Sequence, residues 1–110
     1  MSAGSLPAPA LAWCPFPDPE SAESIAGILL DEGLIACANI IGQIASVFAW
    51  QGKRERTMET GVLLKTNTAL LDFAIARLVA LHPYEEPAVL GWACDAAAPG
   101  TAAWLGALGQ

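Results

Sequence analysis

Charge is what this chain has least of. Only 15% of its 110 residues are Asp, Glu, Lys or Arg, against about 25% in ordinary soluble domains. Five are basic, and the net charge is −6. Three of the five (Lys53, Arg54 and Arg56) sit in one short segment. A nucleic-acid partner needs a broad basic face to displace counterions, and this balance excludes one. Cysteine is scarce and odd in number. Cys14, Cys37 and Cys94 are widely spaced, unlike a disulfide framework, and fit reduced thiols in a cytoplasmic compartment. Gly, Pro or charge interrupts every apolar run before it reaches bilayer length, so no membrane span is expected. Residues 1–12 lack the basic start of a secretory signal and are broken by Pro7 and Pro9.

Chemistry-bearing motifs are equally sparse. There is no glycine-rich phosphate cradle, nucleophile elbow or H-E-x-x-H pattern. Histidine and tyrosine occur once each, at His82 and Tyr84. The chain can therefore form at most one Cys–His pair. Cys37 and Cys94 are expected inside strands, as small buried hydrophobes. The expectation is a protein that is not an enzyme.

What the chain does have is apolar surface. Hydrophobic residues make up 55% of it, before ten glycines are counted. One domain of this length has a high ratio of surface to volume and cannot hide so many apolar side chains alone. Burial against further copies of itself is the usual resolution, so an obligate homo-oligomer is expected.

The pattern along the chain gives the elements. Residues 1–7 read as a flexible lead-in and 8–110 as one domain. Leu6 to Cys14 has the length of a first strand, ended by Pro15 and Pro17. Asp18-Pro19-Glu20 is a helix start: an N-cap carboxylate, a proline at the first helical position and an acid near the positive end of the dipole. Ala22, Ile25, Ala26 and Leu29 recur at helical spacing, and Gly33 ends the helix. Ala36 to Trp50 is a long strand with a bulge at Gly42-Gln43. Gln51-Gly52 makes a tight turn into a strand over Met58 to Thr66. Thr66 or Thr68 caps a second helix with a stripe of Leu71, Ile75 and Leu78. Ala88 to Cys94 is a fourth strand and Thr101 to Leu108 a terminal helix. The fold class is α+β. Right-handed crossovers put both main helices on one face of an antiparallel sheet, a ferredoxin-like β-α-β-β-α-β sandwich with an additional C-terminal helix. Its other face is bare.

Leu81-His82-Pro83-Tyr84-Glu85-Glu86-Pro87 concentrates the candidate chemistry. Pro83 ends the second helix and leaves His82 at an element boundary. Cys14 falls at another boundary and could converge with His82 as a thiolate–imidazole pair for a soft or borderline ion such as copper or zinc. The bland alternative is a strand-end thiol and a histidine bonded to backbone. Glu85 and Glu86 read as solvated loop charges, and Phe48 and Trp50 share a face at strand spacing.

The segments Ala36-Cys37-Ala38-Asn39-Ile40-Ile41, Ser46 to Lys53, Glu59 with Leu64-Lys65-Thr66, and His82-Pro83-Tyr84 with Pro87 resemble the CutA divalent-cation-tolerance family in order and spacing. Cys14 with Pro17-Asp18, and Trp104-Leu105, extend the resemblance over residues 8 to 108. It implies a ferredoxin-like fold similar to that of PII signalling proteins, a homotrimer built by strand pairing, and a role in the response to metal ions, with copper binding in some members. By position it implies Cys14 and His82 as metal ligands. The first of two adjacent family histidines is Leu81 here. It also implies that Trp50, Glu59, Lys65 and Tyr84 line an inter-subunit cleft, able to admit a small anion or metabolite whose state an unidentified protein partner would read.

Overall fold

The computed structural model describes residues 5–110. Residues 1–4 of the expected lead-in lie outside the described residues. Leu6 and Pro7 are not free: they lie against Gly106, where a β-carbon would come within 2.9 Å of Leu6 Cβ. The elements run β1 (Pro9–Phe16), α1 (Pro19–Asp31), β2 (Cys37–Trp50), β3 (Lys53–Asn67), α2 (Leu71–Leu81), β4 (Leu90–Ala93) and α3 (Pro99–Ala107). All strand pairs are antiparallel, in the order β2-β3-β1-β4.

Local chemistry sets the boundaries. Asp18 Oδ1 accepts the Ser21 N–H at 2.7 Å and caps α1. At the other end Gly33 takes φ +72°. There Leu34 N–H donates to Leu29 O and Gly33 N–H to Leu30 O, the paired closure a left-handed glycine permits. Gln51 and Gly52 both have positive φ (50° and 78°), the backbone twist that lets a two-residue turn join β2 to β3. The register shifts between Ile41 and Ile44, so the expected bulge at Gly42-Gln43 is present.

Several boundaries differ from expectation: β1 starts at Pro9 rather than Leu6, and β4 at Leu90 rather than Ala88. β1 passes through Pro15, because β4 pairs only with Ala10 to Trp13; beyond Trp13 one side of β1 is an edge, where a proline removes no ladder bond. β3 begins at Lys53 rather than Met58, since cross-strand pairing with Val47 to Trp50 carries the polar run Lys53-Arg54-Glu55-Arg56 into the ladder. β4 stops at Ala93 and leaves Cys94 beyond it, half-buried rather than a core strand residue. Neither threonine caps α2. Thr66 Oγ1 donates to Leu34 O, and the Asn67 side chain accepts from Ala69 and Leu70 N–H instead.

Alternate residues of β1 and β3 (Ala12, Cys14 and Phe16; Val62 and Leu64) meet Ala22, Ile25 and Leu29 of α1 and Ala74 and Leu78 of α2 in one core. Among the described residues, the opposite sheet face carries no such cover. Leu90 is 65% exposed and Trp92 45%, while Trp13 lies over Gly61, where a β-carbon would collide with its indole. The β2–β3 hairpin projects from the body. It stretches the molecule to 52 × 26 × 22 Å and its radius of gyration to 15.1 Å, above the roughly 13 Å of a compact chain this long. Val47 (65% exposed), Trp50 (56%) and Phe48 (43%) ride on this arm.

Candidate functional site

The end of β1, the end of α2 and the base of the hairpin meet at one place, and His82 is the hub. Its N–H makes the last helical bond, to Leu78 O at 2.9 Å. Its backbone then turns extended (φ −65°, ψ 140°), as the following proline requires. The ring is buried between Phe16 (centroids 4.4 Å apart) and Tyr84 (4.8 Å). Both nitrogens are engaged by backbone. Tyr84 N–H donates to Nδ1 at 3.0 Å, and Nε2 lies 2.9 Å from Pro15 O. Because Nδ1 accepts, the proton sits on Nε2 and is donated to Pro15. Burial lowers the His82 pKa, opposed by the Pro15 bond and by Glu59. The neutral imidazole is a clamp that pins the loop after α2 to the end of β1.

Cys14 is fully buried in the same core, its Sγ 3.5 Å from Pro15 O. Burial first, and Glu59 second, push its pKa up to about 12, so at neutral pH it is a thiol. A copper ion held by Cys14 and His82 would need a free imidazole lone pair and would have to displace the thiol proton. Both nitrogens of His82 are already bonded to backbone, and among the described residues no three His, Cys, Asp or Glu side chains gather as a metal cluster. Leu81 packs against the hydrophobic core. As folded, this donor set does not fit copper.

The clamp does shape something else. It places Tyr84 so that its hydroxyl donates to Glu59 Oε2 at 2.8 Å; burial and that carboxylate push the phenol up to about 12. Tyr84 and Glu59 line an open groove of about 910 Å³ between the loop and the hairpin, together with Phe48, Trp50, Glu85 and Glu86. Three of the four expected cleft residues, Trp50, Glu59 and Tyr84, therefore share a site. Lys65 does not line it. It lies farther along β3, opposite Leu11 and Cys37. Glu85 and Glu86, read from sequence as plain loop charges, belong to the groove; their adjacency to Tyr84 was the available signal.

Comparison with known proteins places these features in context. Residues 10–107 match the model of the CutA1 divalent ion tolerance protein family. The divalent-cation tolerance protein CutA of Pyrococcus horikoshii is 41% identical over 80 residues, covering 73% of this chain and 78% of that protein. Among solved structures, the divalent ion tolerance protein CutA1 from Ehrlichia chaffeensis superposes with a TM-score of 0.86 at 34% identity, over 92% of this chain and 94% of that one. CutA from Xylella fastidiosa gives 0.85 at 37% identity, over 88% and 93%.

Proposed function

The chain belongs to the CutA1 divalent ion tolerance family, and from that premise we propose that it serves the response to metal ions as a cytoplasmic, non-enzymatic homotrimer that binds a small molecule in the groove beside Trp50, Glu59 and Tyr84. The observation that carries this reading is the division of labour at His82. The imidazole is fully occupied in bonding backbone, and the groove it helps to shape is open. The same occupation, with Cys14 held as a buried thiol, argues against a cysteine–histidine nucleophile. The bare sheet face and the exposed aromatic arm support assembly, because a lone subunit would leave both in water. A groove-binding trimer whose state is read by a partner protein is the arrangement expected by analogy with PII proteins.

The rival within the family is weak copper coordination by Cys14 and His82. Calorimetric titration with cuprous ion under reducing conditions separates the two. The groove reading expects no stoichiometric uptake that depends on Cys14, so Cys14→Ala and the parent protein give the same isotherm. Tight uptake abolished by Cys14→Ala would reinstate the copper reading.

A further inference from the structure

We propose that Lys65 of one subunit forms an ion pair with Glu59 of the next, so that a second copy of the chain completes the groove. This rests on the homo-oligomeric reading above and names a contact that assembly makes. β1, β2 and β4 contain no charged residue, so every charge on the sheet belongs to β3. Alternation along β3 sorts these charges between the two faces. Val62 and Leu64 point into the core. Arg54 and Arg56 therefore share their side, and Lys53, Glu55, Glu59 and Lys65 lie on the bare face. Lys53 and Glu55 are neighbours there, at the exposed distal end of the arm, and offset each other in water. Glu59 and Lys65 are left over.

Within one chain these two cannot meet. They lie about 20 Å apart along the strand, and among the described residues the ion pair that forms is Arg77–Glu32. Lys65 stands half-buried opposite Leu11 and Cys37, on strands that offer it no acid. Once another copy covers this face, its ammonium group leaves water, and a buried charge without a counter-charge is strongly unfavourable. Glu59 is the carboxylate suited to meet it. It is half-buried on the same face, and the Tyr84 hydroxyl occupies Oε2, which leaves Oε1 to accept from an ammonium group. Glu85 and Glu86 are exposed on the loop and can keep their water. The face thus carries one carboxylate and one ammonium group with Gly61 and Leu63 between them, a pattern that complements a second copy of itself. The groove of Trp50, Glu59 and Tyr84 becomes a site between subunits, with a cation supplied by the neighbour.

Fluorescence-detected sedimentation of the full-length protein tests the pair, in urea at the concentration that half-dissociates the parent assembly. Lys65→Glu and Glu59→Lys each set like charges against one another and are expected to weaken assembly at least about tenfold. When the two variants are co-expressed, attraction returns wherever one kind of subunit meets the other. The mixed assembly is expected to be at least about tenfold tighter than either variant alone. Glu59→Gln and Lys65→Gln serve where a charge-reversed chain loses the parent circular dichroism. Each strands one buried charge, and the double variant is expected to assemble at least as tightly as either single one. Single variants that assemble like the parent would overturn the pair and leave the oligomer standing. Weakened variants that neither rescue each other nor show this coupling would also overturn it, because the two charges then do not face one another. A parent protein that sediments as a single subunit without urea would overturn the pair and the assembly reading together.

Discussion

In a Cys37→Ser/Cys94→Ser background, Cys14 should react with iodoacetamide at pH 8 about a thousandfold more slowly than an ordinary thiol. Its pKa is raised from 9.0 to about 12 by burial and by Glu59. The thiolate is the reactive form, and three units remove about a thousandfold of it. Access will slow the reaction further. The same shift has a consequence for stability. The folded pKa lies above the unfolded one, so the native state favours the thiol. That preference is fully present below pH 9 and is lost progressively as pH rises from 9 towards about 12. At full ionisation the loss would be about 4 kcal/mol. Tyr84, raised from 10.0 to about 12, acts in the same direction over the upper part of that window. Urea midpoints should therefore fall from pH 9 upward, and less steeply in Cys14→Ala. Rapid labelling of Cys14 in folded protein at pH 8 would contradict the assignment of this thiol as buried and neutral.

Replacing Asn67 should be the most damaging single polar substitution. The side chain is fully buried and holds three elements together. Its Nδ2 donates to Leu105 O at 2.8 Å and Leu108 O at 3.0 Å, closing the end of α3, and its Oδ1 accepts the Ala69 and Leu70 N–H groups that open α2. Asn67→Ala removes all four bonds. With a helix cap worth about 1 kcal/mol and buried carbonyls losing partners at about 1 kcal/mol or more each, the expected loss is about 3 kcal/mol. That is a large share of a typical domain's stability. Asn67→Asp keeps the acceptors but turns a carboxylate towards two carbonyl oxygens, so it should be at least as harmful at neutral pH. Denaturant midpoints at one fixed protein concentration read both variants, since assembly makes apparent stability concentration-dependent. A near-parent midpoint for Asn67→Asp would show that the donated bonds contribute little.

The importance of Asn67 also marks the limit of what the sequence discloses. Element order, the α1 cap at Asp18, the αL glycine at 33, the hairpin turn at Gln51-Gly52 and the bulge near Gly42 are local effects, and each was readable from the residues within a few positions. The capping of α2 was not, because it depends on a residue that first has to satisfy carbonyls far along the chain in α3. The extension of β3 to Lys53 was hidden for a similar reason: charged residues enter a ladder when a partner strand runs alongside them. In the site, His82 was legible as a boundary residue, and the groove residues Trp50, Glu59 and Tyr84 carried a family resemblance. Its bonding was not legible. Which atoms reach each nitrogen depends on the end of β1 passing beside α2, and that contact brings the Pro15 carbonyl to Nε2. Lys65 lies farther along β3 than Glu59, opposite Leu11, and takes no part in the groove of the single chain; a place in a cleft between subunits depends on assembly, which local sequence does not specify.

With only one histidine in the chain, the clamp can be tested without assignment ambiguity. Long-range proton–nitrogen spectra of ¹⁵N-histidine-labelled protein at pH 7.5 should show one neutral ring in the Nε2–H form, with Nδ1 as the unprotonated acceptor. Adding one equivalent of cuprous ion under reducing conditions should leave both nitrogen signals where they were. An Nδ1–H tautomer, or a ring nitrogen signal that copper moves or abolishes, would contradict the claim that His82 binds backbone rather than metal.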